Sequence, residues 1–220
     1  MKAVRRLVSV AMRARRGGAS LPHCLIRHGY YLARGKWIFA HQNTRIRGLE
    51  NIDVVGQLWI GTLVVGFLSN FDHSYLNVRG RLNIRGNVNL GKGTRLDIGK
   101  GAVCELGTCY VSGMTRLIVM HGLTIGNGCS ISWDVEFLDE DFHSLDYPGR
   151  KEVGDPRIVV GDHVWIGSGA KILKGSRIGA GSVVAANSLV NGAFDEENVL
   201  IAGNPARIVR RDVSWGPRRT

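Results

Sequence analysis

Residues 160–190 read VGDHVWIGSGAKILKGSRIGAGSVVAANSLV. Every sixth residue is apolar and β-branched: Val160, Ile166, Ile172, Ile178, Val184 and Val190. A second register keeps the same beat with mostly small residues, Val164, Ala170, Ser176, Ser182 and Ser188, and glycine follows the large residue at Gly161, Gly167 and Gly179. A helix turns about 100° per residue, so positions six apart would be rotated by about 240° and could not share a buried face. Plain strand alternation gives a period of two and leaves the beat of six unexplained. A short strand and a corner, repeated every six residues, explains both registers: the large residue fills an interior, the small one lies inside near a corner, and glycine permits the turn. The pattern predicts an all-β, parallel β-helix whose coils hydrogen-bond to one another about 4.8 Å apart over one continuous core.

The beat extends upstream through Ile125, Ile131 and Phe137, then Val78, Ile84, Leu90 and Leu96, and more weakly Ile46, Ile52 and Leu58. These runs are out of phase, so small insertions separate them, and 98–120 is the least regular stretch. The expected layout is a basic, partly helical arm over 1–43, the β-helix over 44–206 with a loop at 138–157, and a basic tail over 207–220.

The segments VWIGSGAKILKGSRIGAGSVVAANSLV and IAGNPARIVR resemble the C-terminal half of hexapeptide-repeat acyltransferases, the galactoside and maltose O-acetyltransferase type, and within it the capsule and O-antigen O-acetyltransferases. The resemblance runs over about 120–211, extends over 44–119 and is absent from 1–43. It implies a left-handed β-helix, a homotrimer, acetyl-CoA as co-substrate between neighbouring subunits, and a glycan acceptor. It also implies that Ser168 and Ala186 contact acetyl-CoA and that Arg207 and Arg210 meet its phosphates, a role suited to guanidinium. Ser168 and Ala186 are eighteen residues apart, one coil of three hexapeptides, so they stack over each other. Trp165 lies beside the same wall, where it packs along the pantetheine arm or serves as a surface aromatic; Lys171 and Lys174 could assist or be solvated.

The beat stops between Phe137 and Ile158, where the insert LDEDFHSLDYPGRKEVGDPR is polar and punctuated by Pro148, Gly149, Gly154 and Pro156. A loop thrown out of a regular solenoid is where function concentrates. A sugar hydroxyl must lose its proton to attack a thioester, and imidazole titrates near enough to neutrality to take that proton and return it to the departing thiol. The order DEDFHS, then the VWIG strand, resembles the family's catalytic segment and puts His143 at the base, with Asp141 or Asp139 as its orienting carboxylate. His73 and Asp139 are candidates for the acceptor side. His121 reads as structural and His163 as outward-facing. Two positions depart from the family pattern. Asn191 and Gly192 stand where a Thr-Lys pair is common, and YVSGMTRLIV lacks the acceptor-binding Asn expected about thirty residues before the His.

The formal charge is +11, but residues 1–47 hold eleven Lys and Arg and no acid, while the rest is balanced at 18 of each sign. The basicity belongs to the arm, which does not make the domain a nucleic-acid binder. Val4, Leu7, Val8 and Ala11 fall on one face of a basic amphipathic helix that could meet an anionic membrane surface or cap the first coil. Six residues from Leu7 to Met12 are too few for a secretory apolar region. Cys24, Cys104, Cys109 and Cys129 form no CxxC pair and read as reduced thiols, which together with the absence of an 18-residue apolar run suggests a cytoplasmic protein, with peripheral contact at the inner membrane face as an option. No metal site is expected. N-acetylation of an amino sugar and a non-catalytic β-helix scaffold are the rival functions.

Overall fold

The computed structural model describes residues 18–62, 67–69, 71–149 and 154–216. Within them the six-residue beat becomes a triangular coil. Each turn contributes three short strands, and each strand pairs in parallel with the one a full turn away, giving three faces of nine, seven and seven strands. Face A carries 38–40, 57–60, 87–90, 109–111, 129–131, 165–166, 183–184 and 200–203; face B runs from 44–47 to 189–190, and face C from 52–54 to 193–194. In the decisive stretch Trp165 lies over Val183 and Lys171 over Leu189, so a turn takes eighteen residues. Both registers point inward: Val160, Ile166, Ile172, Ile178, Val184 and Val190 are buried, and so are Val164, Ala170, Ser176, Ser182 and Ser188.

Upstream strands are mostly three to five residues rather than two or three, and the turns lengthen: Leu96 pairs with Leu117 twenty-one residues on, and Leu117 with Phe137 twenty on. This shifts the phase without breaking the coil. The 98–120 stretch is regular in space, with Ile98, Leu106, Val111 and Val119 all inside.

The glycine after each large residue has a different task from the one expected. Gly161, Gly167 and Gly179 do not adopt positive φ; the left-handed corners are Gly169, Gly175 and Gly181, with His163 and Asn187. At Gly167 an added Cβ would lie 2.6 Å from the Ala186 amide nitrogen of the next coil. The glycine therefore lets stacked coils close on each other. Gly167→Ala is expected to destabilise the fold by about 1–3 kcal/mol, because backbone stands in the way and a corner flanked by two rungs cannot move aside. Thermal unfolding of the variant against wild type checks it.

The solenoid begins earlier than residue 44: Ile38–Ala40 pairs with Leu58–Ile60 as the first rung. Before it, the helix Leu21–Leu32 docks through Cys24, Arg27, His28 and Tyr31. Arg27 donates to the carbonyls of His41 and Thr44 at 3.2 and 2.9 Å, Tyr31 joins the main core, and Cys24 packs with Phe39 and Trp59. The described part of the arm is thus a cap on the open end of the coil stack, which would otherwise present unpaired backbone. The amphipathic segment expected at Val4–Ala11 lies outside the described residues. At the other end the expected tail contributes Ala206–Arg210, antiparallel to Leu200–Gly203, which closes face A. All four cysteines are free and buried; burial raises each thiol's pKa, that of Cys109 to about 12.

Candidate functional site

The loop leaves the coil just after Phe137, at the edge where face B turns into face C, and the chain rejoins where Ile158 pairs beside Leu123. Its root is fastened by Asp139. That carboxylate is 1% exposed and accepts from the backbone amides of Met120 at 2.6 Å and of His121 and Gly122 at 2.8 Å. In this chain the Asp139 carboxylate is engaged by three donors of the preceding coil and not by His143. Asp141 faces Lys174, with Oδ2 2.6 Å from Nζ, rather than His143.

Glu140, between them, has the unforeseen role. Its Oε2 accepts from His121 Nε2 at 2.7 Å and its Oε1 from the amides of Asp141 and Phe142 at 2.8 and 3.1 Å. His121 sits at the corner one coil before Glu140, a relation that follows from the pairing of Ile118 with Leu138. Phe142 takes a left-handed φ of 60°, and His143 follows, exposed and without a hydrogen bond to any described residue. His143 lines an open depression with Met120, Glu140, Phe142 and Ser144. The hydrogen bond from His121, followed by the Phe142 amide, holds the Glu140 carboxyl below its ordinary 4.5. The folded state favours the charged form, so this restraint is full above that ordinary value and is lost as pH falls through the lowered one. The loop turn at 140–143 is expected to keep its order from neutral pH to below about 4.5 and to loosen under further acidification, read by NMR at the Phe142 amide.

Trp165 projects from face A. It is 41% exposed, and its Nε1 donates to Ser132 Oγ at 3.2 Å. Ser168 and Ala186 lie next to it along the edge between faces A and B, one coil apart as their spacing requires, with the Asn187 amide donating to the Ser168 carbonyl at 2.9 Å. Gly167, Ser168, Gly169, Ala185 and Ala186 keep side chains small along these two turns of the edge, with Asn187 beside Ala186 and Trp133 one coil before. Arg207 and Arg210 stand beyond it on the closing hairpin, exposed and in no ion pair among the described residues. Lys171 opens the face B strand just after this edge, with its Nζ 3.5 Å from Glu136 Oε1, in a ladder with Arg116. His73 immediately precedes the strand Ser74–Val78, at the edge between faces A and B, and does not line the depression around His143. Phe67 packs edge-on against Trp133 at 5.5 Å.

The loop base and the smooth edge are therefore on different edges of the triangular section, and one chain does not bring His143 and Trp165 together. A further aromatic gave no signal beyond being a lone Trp in a basic tail. Trp215 stacks on His163 with centroids 4.3 Å apart and planes 10° apart, and its Nε1 donates to the His163 carbonyl at 2.8 Å. Its centroid is 6.2 Å from that of Trp165. Among the described residues no group of three or more metal-ligating side chains occurs, and no helix is long and apolar enough to cross a membrane.

Residues 157–192 match the model of the bacterial transferase hexapeptide family (six repeats). An uncharacterized 24.8 kDa protein in the cps region of Klebsiella pneumoniae is 37% identical over 97% of both chains. An Escherichia coli K12 protein that bears the inferred name lipopolysaccharide biosynthesis O-acetyl transferase WbbJ is 30% identical over 62% of this chain and 75% of its own. The crystal structure of the polySia-specific acetyltransferase NeuO superposes with a TM-score of 0.53 at 22% identity, over 83% of this chain and 90% of that one.

Proposed function

The chain belongs to the hexapeptide-repeat transferase family, with its left-handed β-helix fold, and from that premise we propose that it moves an acetyl group from acetyl-CoA to a sugar hydroxyl of a bacterial-type surface polysaccharide or its lipid-linked precursor. The observation that carries this reading is the exposed imidazole of His143, which hydrogen-bonds to no described residue, on a loop whose root is anchored by Asp139. Anchoring sets where the imidazole stands; the lack of a partner leaves its ring nitrogens free for a substrate.

The edge bearing Ser168 and Ala186 suits the straight pantetheine arm, because small residues let it approach the backbone, and Arg207 and Arg210 suit the phosphates. The thioester supplies an activated acyl carbon. His143 takes the proton of the acceptor hydroxyl as its oxygen bonds to that carbon, and gives the proton to the coenzyme A sulfur as the carbon–sulfur bond breaks. Since the two halves lie on different edges of one chain, the reading places the site between copies: the smooth edge of one subunit faces the loop of its neighbour in a homotrimer. The cps region and lipopolysaccharide biosynthesis named for two relatives support a glycan acceptor.

The test is thiol release from acetyl-CoA with purified surface glycans, and mass analysis of the product. A hydroxylamine-labile acetyl ester is expected. A stable acetamide would turn the reading to N-acetylation, and acceptor-independent silence across glycans would favour a scaffold.

A further inference from the structure

The helix Leu21–Leu32 has two faces, and among the described residues only one packs against the coil. Cys24, Arg27, His28 and Tyr31 turn toward the coil, while Pro22, Leu25, Ile26, Gly29, Leu32 and Ala33 recur at helical spacing on the outside. Ile26 is 75% exposed, Leu32 46% and Leu25 43%, with Tyr30 beside them at 50%. A helix lying on a protein surface normally shows charge on its outer side. This one shows none until Arg34, whose guanidinium lies over the Tyr30 ring at 3.6 Å.

We propose that this outer stripe seats the protein on an anionic lipid surface. The occupant follows from charge. The sequence flanking the stripe is basic: residues 1–47 contain eleven Lys and Arg and no acid, six of them in the 20 residues before the helix. A second copy docking here would bring that positive charge against itself. A bilayer carrying anionic headgroups offers the opposite charge and an apolar layer beneath, into which Leu25, Ile26 and Leu32 fit, with Tyr30 and Arg34 at headgroup level. Twelve residues are too short to span the hydrocarbon, so the helix lies in the interface. The seat is on the capped end of the coil stack, away from the loop of His143, and does not depend on the transferase reading.

The experiment is flotation of the full chain with vesicles of phosphatidylcholine and phosphatidylglycerol, and with phosphatidylcholine alone, for wild type and the Leu25→Glu/Ile26→Glu double variant. Wild type is expected on the anionic vesicles only, with binding weakened by salt as the Debye length shrinks. The double variant is expected to bind at least tenfold more weakly, with unchanged thermal unfolding, oligomeric state and acetyl transfer to a soluble acceptor. Wild type that ignores anionic vesicles would overturn the proposal. So would a double variant that binds as well as wild type, which would assign binding to the basic residues alone. Dissociation of the wild-type oligomer by the double variant would likewise overturn it, since the stripe would then be a subunit contact.

Discussion

His143→Ala is expected to lower acetyl transfer by about 10²–10⁴-fold while leaving the fold and the affinity for acetyl-CoA intact. The side chain is exposed and makes no hydrogen bond to a described residue, so its removal opens no cavity and strands no partner. The smooth edge at Ser168 and Ala186 is on another side of the triangular section, so the donor should still bind. Thiol-release kinetics and calorimetric titration with acetyl-CoA separate the two quantities. His121 is the rival base, being the other imidazole at this edge, but its Nε2 is engaged by Glu140 at 2.7 Å. His121→Ala is expected to cost much less, and a reversed order of the two variants would reassign the base. The placement between copies can be checked with the same material. His143→Ala subunits mixed with subunits carrying Ala186→Glu, each inactive alone, should regain activity on co-assembly, because some pairings then join an intact loop to an intact edge. No recovery at any mixing ratio would confine the site to one chain.

How much of this was legible in the sequence differs by region, for a physical reason. From Val160 to Val190 the strands are two or three residues and the turn is eighteen, so the inward residues keep strict time and the coil can be read directly. Where strands lengthen, as at Arg95–Ile98 and Arg116–Val119, the inward side is just as apolar but the interval drifts, and a search for sixes sees irregularity. The loop was legible because it breaks the beat, and His143 stands out in it as the loop's one imidazole. The partners of the loop were not. Whether Asp139, Glu140 or Asp141 meets an imidazole depends on the corner at Met120–Gly122 one coil away, and adjacent residues point to unrelated neighbours. Three acids in a row thus became a backbone anchor, a partner of His121 and a partner of Lys174. The stacking of Trp215 on His163 spans 52 residues and has no local signature at all.

Asp139→Ala should be the most damaging single change at the site's foundation, costing about 3 kcal/mol or more of stability and about tenfold or more in acetyl transfer. The stability term follows from the donors left behind. Three backbone amides, at Met120, His121 and Gly122, lose their acceptor at a place where the carboxylate is nearly inaccessible, and a buried donor without a partner costs about 1–3 kcal/mol. Water entering the space left by the side chain would recover part of this, which sets the lower end of the range. The catalytic term follows from geometry. The same three bonds tie the loop root to the coil before it, and Glu140 and His143 hang from that root, so a base displaced by about an ångström loses its alignment with the hydroxyl. Asp139→Asn discriminates between the two effects. An amide keeps one acceptor oxygen but turns an N–H toward the donor cluster, so it should recover part of the stability and less of the rate. Unfolding in denaturant and steady-state kinetics on the two variants would read these separately. If Asp139→Ala lowers the unfolding midpoint but leaves kcat at the wild-type value, the loop is held by something other than its root. In that event the position of His143 would have to be set by the neighbouring subunit.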